Sequence, residues 1–154
     1  MLPPRAKIVH PRQGQRFEVQ GLRIIYKACG HDTDGKYAVS ELTVPAQHRS
    51  RLQIHHREDV AFYVLKGVFA IQCGEQLLTA GPGAFVLLPQ GVRHAFSNMS
   101  EYAGRLLCLH APAGMEEFIE HMSVFGKERN PVDADNITAL AQRYGIEFLD
   151  DPTK

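Results

Sequence analysis

The sequence predicts an all-β antiparallel sandwich or barrel followed by two helices, and three observations point there. Between about Leu22 and Ala111 the chain breaks into eight or nine short apolar or alternating runs at near-regular spacing, as consecutive strands do. Gly, Pro and Asp punctuate these runs with no helical pattern between them, which disfavours a parallel sheet built from strand and helix in alternation. Helical spacing begins only after Pro112.

Leu22 to Ala28 opens the series, with Leu22, Ile24 and Tyr26 on one side and Arg23 and Lys27 on the other, the period of a half-buried strand. A turn follows at Asp34-Gly35, residues that tolerate left-handed backbone. Further strands are expected at Tyr37 to Val44, Leu52 to His55, Val60 to Leu65, Val68 to Cys73, Gln76 to Thr79, Ala84 to Leu88, Val92 to Asn98 and Arg105 to Ala111. Lys66-Gly67, Cys73-Gly74-Glu75 and Gly81-Pro82-Gly83 supply turns between them. Met115, Phe118, Ile119 and Met122 then fall at i, i+3, i+4 and i+7, as do Ile137, Leu140, Ala141 and Tyr144. Asp133 or Asp135 caps the second set and Gly145 closes it. The expected organisation is a single domain, 1–154, with a barrel at about 22–111, helices at about 113–123 and 134–144 packed outside it, and a frayed tail after about Asp150.

A length of 154 residues suits one domain with one core. Lys+Arg 17 against Asp+Glu 17 leaves no net charge, so the basic footprint of a nucleic-acid binder is missing and none is expected as partner. With 44% hydrophobic and 22% charged residues the composition is that of an ordered globular chain. Neither a secretory leader pattern nor an apolar run near the roughly 18 residues of a membrane span is visible, so the expectation is a cytoplasmic protein without a membrane partner. Cys29, Cys73 and Cys108 are odd in number and far apart, which fits free thiols in the core better than disulfides or a zinc knuckle.

The most informative stretch is Gly83 to Asn98, an apolar strand, a Pro89-Gln90-Gly91 turn and a return strand with His94, Phe96 and Asn98 on one face. Imidazole and amide among apolar groups is how ligand cavities are lined. Gly83, Pro89, Gly91, His94 and Asn98 match every position of the second motif of the cupin superfamily, and the chain resembles its small single-domain members similar to quercetin 2,3-dioxygenase. The first motif is met in part: in the register set by Phe62-Tyr63-Val64-Leu65 and Gly67, Gln47 stands at the opening Gly, Gln53 at the first His, His55 at the second and Val60 at the Glu. The resemblance runs from about Leu22 to Phe118 and implies a jelly-roll barrel, the cupin double-stranded β-helix.

The departures bear on chemistry. The resemblance implies that Gln53, His55 and His94 stand where cupins hold a divalent Zn, Ni, Fe or Cu, with an aliphatic Val60 where the balancing carboxylate belongs. Asp59, through a bulge, or Glu41, if its strand turns it inward, are the replacements considered. His56 follows His55 directly and should face away; His10, His31, His48 and His121 are read as surface residues. His110 shares parity with Leu106 and Cys108 and is either a packed core histidine or a pocket group. The expected cavity lining is Val60, Phe62, Phe96, Asn98 and His110.

Three functions fit. An enzyme acting on a small aromatic or polyketide-like molecule would use His55 and His94 as acid and base, with Gln53 or Asn98 orienting a carbonyl, for isomerisation, cyclisation or elimination. A metal-dependent dioxygenase similar to quercetin 2,3-dioxygenase would keep an ion on Gln53, His55 and His94. A ligand-binding cupin without catalysis is the third. A homodimer covering an edge near the N-terminus is expected.

Overall fold

Alternation of buried with more exposed positions, clearest in Ala38–Val44, Phe69–Cys73, His94–Asn98 and Gly104–Ala111, goes with two facing antiparallel sheets. The computed structural model describes residues 3–127 and 134–149. Its strands are β1 (Gln15–Val19), β2 (Leu22–Ala28), β3 (Ala38–Val44), β4 (Gln53–His55), β5 (Asp59–Lys66), β6 (Phe69–Cys73), β7 (Gln76–Ala80), β8 (Phe85–Leu88), β9 (His94–Asn98), β10 (Gly104–Ala111) and β11 (Ile146–Phe148). Three helices accompany them, α1 (Gly30–Thr33), α2 (Met115–Lys127) and α3 (Ala134–Arg143). One sheet runs β1-β2-β3-β10-β5-β8 and the other β11-β4-β9-β6-β7.

β3 shows the pattern plainly: Ala38, Ser40, Leu42 and Val44 are buried while Val39, Glu41 and Thr43 are half-exposed on the outer face. Phe69, Ile71, Val64, Leu88 and Leu106 fill the space between the sheets with almost no exposure, each such side chain contributing about 1.5–3 kcal/mol. α2 lies against β1, and α3 against β11. The apolar stripe Met115, Phe118, Ile119 and Met122 is buried as the spacing predicts. No described helix is long and apolar enough to cross a membrane.

Three elements were not expected from the sequence. β1 carries only Phe17 and Val19 as apolar residues and precedes the predicted start at 22; it is held by full pairing with β2, from Gln15 opposite Tyr26 to Val19 opposite Leu22. α1 is a single turn. β11 follows α3 in a stretch to which no element was assigned, and it pairs Ile146, Glu147 and Phe148 with His55, Ile54 and Gln53. Asp133 as a cap and the segment after Asp150 lie outside the described residues.

β11 matters because β4 has little else to hold it. On its other side β4 pairs with β9 only through Gln53 and His94. The turn from α3 into β11 requires Gly145: its φ is +74°, and a Cβ there would stand 2.7 Å from Arg57 Cγ, so both backbone and space favour glycine. The Gly145 carbonyl accepts a hydrogen bond from His56 N at 2.8 Å.

Candidate functional site

β4 is short, yet its end is tied down from two directions. Gly91 N donates to the His55 carbonyl at 2.9 Å, Gln90 Nε2 donates to the His56 carbonyl at 2.6 Å, and Gln90 N donates to Asp59 Oδ1 at 2.8 Å. The Pro89-Gln90-Gly91 turn is thereby clamped onto the chain around His55, and the strand leaving it places His94 beside His55. The two rings stack at 5.1 Å between centroids and 17° between planes. His110 of β10 adds a third ring 5.8 Å from His55.

These rings face a cavity of about 110 Å³ walled mainly by apolar side chains, among them Val60, Phe62, Phe96 and the α2 stripe. α2 is therefore outside both sheets and at the same time one wall of the cavity. Tyr26, Ser40, Gln53 and Cys108 add uncharged polar groups.

Behind His55, away from the cavity, stands a carboxylate that sequence reasoning missed. Glu58 is 5% exposed, as is His55, and His55 Nδ1 lies 2.7 Å from Glu58 Oε1. A carboxylate only accepts, so Nδ1–H donates and Nε2 is the nitrogen left for the cavity. Strand parity did not apply to Glu58, because residues 56–58 form the bend between β4 and β5. An acidic side chain three residues after a strand-end histidine, across a tight bend, is the signal that points to it.

His94 lacks such support: its Nδ1 is sealed from solvent without a hydrogen-bond partner. Burial, and then the nearby His55, push its pKa down to about 4, against a backbone interaction with Val92. His110 is pushed down to about 3 by burial, then by His55 and His94. Burial likewise pushes the Cys108 thiol up to about 12, opposed by Ser40, and raises Tyr26. Near neutral pH the His94, His110, Cys108 and Tyr26 side chains are therefore all uncharged, and Cys108 is not a thiolate nucleophile.

The expected residues sort cleanly. His55, His94, Gln53, Val60, Phe62, Phe96 and His110 all line the cavity. Asn98 does not: its amide Nδ2 donates to the Val44, Pro45 and Tyr102 carbonyls at 3.1, 3.2 and 2.9 Å, and Oδ1 accepts from Ser100 N at 2.8 Å. Asp59 is exposed and spent on the Gln90 turn, and Glu41 pairs with Arg105 at 3.0 Å on the outer face of the sheet. Neither replaces the missing carboxylate. His56 is exposed and meets Glu147 at 2.9 Å. His48, read as a surface residue, is half-buried at the cavity wall, where burial lowers its pKa. Arg51 was overlooked, although its parity with Gln53 and His55 would have found it.

The cupin domain family matches residues 40–110, which spans β3 to β10 and so takes in all three cavity histidines. Residues 40–110 thus match a cupin domain, and the chain around them has the cupin fold. Among solved cupin-fold structures it is similar to KdgF from Halomonas sp., with 15% identity over 73% of this chain and 99% of that one at a TM-score of 0.65. The polyketide cyclase RemF from Streptomyces resistomycificus shares 18% identity over 70% of this chain and 80% of its own, at 0.60. Pac13, a nucleoside dehydratase, shares 17% over 73% and 88%, at 0.59. At such identities the likeness is one of fold. No curated protein matches this cupin in sequence.

Cupins often bind a metal, and the donors of this one do not suit a resident ion. No carboxylate of the described residues stands with the His55 and His94 imidazoles in the cavity wall to balance a divalent charge. Gln53 and Val60 add a weak donor and none. Among the described residues the group of three His, Cys, Asp or Glu whose ligand atoms gather within 4.8 Å is Cys29, His31 and Asp32. That group lies outside the cavity, and Asp32 there is already bonded to Lys7 Nζ at 2.8 Å and to Cys29 N at 2.9 Å.

Proposed function

We propose that this cupin is an enzyme that moves a proton on a small organic molecule, in an isomerisation, cyclisation or elimination, with His55 as base and acid. The observation that carries the reading is the buried His55–Glu58 pair, 2.7 Å apart, set behind an apolar cavity. A proton acceptor gains positive charge, and a carboxylate against its far nitrogen favours that charge and holds the ring in one tautomer. His94 is neutral and sits beside it, suited to hydrogen-bond a carbonyl or hydroxyl oxygen of the ligand through the nitrogen that opens on the cavity.

In the simplest sequence His55 Nε2 takes a proton from a carbon next to a carbonyl, and the electron pair passes to oxygen, where His94 meets the developing charge. The same proton then returns, to a different carbon in an isomerisation or to a leaving hydroxide in an elimination. The two rings cannot both be charged cheaply, since positive His55 further depresses His94, so one proton at a time is the working state. The polyketide cyclase RemF and the nucleoside dehydratase Pac13 have the same fold, and cyclisation and dehydration are among the reactions this reading allows. A cavity of about 110 Å³ favours the smaller end of the expected ligands: one of 150 Å³ holds benzene, so a fused polyketide would have to displace the α2 stripe.

The test is loss of carbon-bound hydrogen to solvent. Chelator-treated protein incubated in D₂O with small ketones, enols and unsaturated acids, followed by proton NMR, is expected to exchange or convert one class of them. His55→Gln should lower that rate by about 10²-fold or more, in the range of general acid–base contributions. Full activity in His55→Gln, or activity that appears only when a metal is restored, overturns the reading.

A further inference from the structure

We propose that Arg51 is a carboxylate anchor at the entrance of the cavity, so that the ligand is a short-chain organic acid whose carbon chain extends inward to His55 and His94. This rests on the cavity being a ligand site, as the proposed function requires, but not on the proton chemistry assigned to it.

The charge census of the cavity wall leads there. Arg51 is its single permanently charged side chain: no Asp, Glu or Lys lines it, burial lowers the pKa of the lining His48, His94 and His110, and His55 is paired with the buried Glu58 behind it. The described ion pairs use Arg93 and Arg105 on Glu75 and Glu41, and none of them involves Arg51. What holds Arg51 is an aromatic ring: its guanidinium carbon lies 4.1 Å from the centroid of Phe148. Packing on a ring occupies a face of the guanidinium and leaves its edge, where the N–H donors lie, for a planar anion. A carboxylate matches that edge with two parallel hydrogen bonds.

Position supports the same assignment. Arg51, Gln53 and His55 alternate along one stretch of extended chain, and all three line the cavity. Arg51 and Gln53 are half-buried and His55 is buried, so cation, amide and imidazole follow one another from entrance to floor. Phe148 sits opposite Gln53 in the β11–β4 ladder, which fixes the ring under Arg51 to the strand that carries His55. A cation without an ion-pair partner among the described residues, at the mouth of an apolar-walled space, draws an anion in and orients it. The volume of about 110 Å³ limits the rest of the molecule to about four non-hydrogen atoms, and a lone arginine offers one planar fork rather than the several donors that a phosphate engages.

Crotonate and its neutral isostere crotonamide are the probes, followed by saturation-transfer NMR on the full chain. Crotonate should bind about tenfold or more tightly than crotonamide. Arg51→Met should bring the two level, Arg51→Lys should retain part of the preference, and Arg105→Met, an arginine paired with Glu41 on the outer face of the sheet, should keep it whole. Thermal unfolding of Arg51→Met near that of the wild type confirms that the Phe148 contact was not needed for folding, and Arg51→Gln replaces it if not. Equal binding of acid and amide, an unchanged preference in both Arg51→Met and Arg51→Gln, or tighter binding of inorganic phosphate than of crotonate overturns the anchor. So does the absence of crotonate binding at about 50 mM, well above the millimolar affinity expected of such a fragment. If the anchor holds while His55→Gln leaves proton exchange intact, the chemistry fails and the ligand class stands.

Discussion

β9 carries two buried polar side chains on one face, His94 at its start and Asn98 at its end, and they are opposites. Asn98 is 1% exposed and His94 2%, so burial does not distinguish them. Asn98 makes four hydrogen bonds to backbone groups of two neighbouring loops, which makes it a fastener. His94 has a sealed Nδ1 with no well-formed hydrogen bond, only an approach to the Val92 backbone, so little of its burial cost is returned as structure. The same sequence motif thus contributes one residue to stability and another to the cavity, and hydrogen-bond accounting separates them where sequence spacing does not.

The difference can be broken most sharply at Asn98. Asn98→Ala removes the amide from the Val44 and Tyr102 carbonyls and the acceptor from Ser100 N, while the Pro45 carbonyl keeps its bond from His48 N, and should cost roughly 3 kcal/mol, read by urea denaturation; a loss below about 1 kcal/mol would mean that solvent or neighbours take over its bonds. Acid comes next. Unfolded, each imidazole takes up a proton near pH 6.5, whereas folded His94 resists until about 4 and His110 until about 3. The unfolded chain holds more protons in between, so stability falls as pH drops through that window. For His94 alone the loss at pH 5 is roughly 2 kcal/mol. His94→Leu should flatten the fall between pH 6.5 and 4 by that amount, and an unchanged slope would show that the buried ring protonates freely. The smallest effect is the stability of His94→Leu at pH 7.5, expected within about 1 kcal/mol of wild type or above it, since an unsatisfied nitrogen is exchanged for an apolar group of similar size.

Most of the fold was legible because alternation and turn residues coincide from Leu22 to Ala111. β1 and β11 were not, for a physical reason: Gln15–Val19 and Ile146–Phe148 have too few apolar residues to carry a period, and tertiary pairing decides their state. His55, His94 and Gln53 were found from strand parity and from the cupin resemblance together. Glu58 escaped because parity fails in a bend, and Asn98 was misassigned because parity gives a face but not a bonding partner. The carboxylate sought at Asp59 or Glu41 exists in another role, orienting an imidazole rather than standing at the position of Val60.

The dependence of β4 on β11 sets an order of assembly. The strand that bears His55 leaves the ribosome some ninety residues before the strand that completes its pairing, so the nascent chain makes both sheets' central hairpins from local contacts and waits for Ile146 to Phe148 to close the wall. Until then His55 is on a strand with one ladder partner in β9. The wall that carries His55 is therefore completed after most of the hydrophobic interior has already formed.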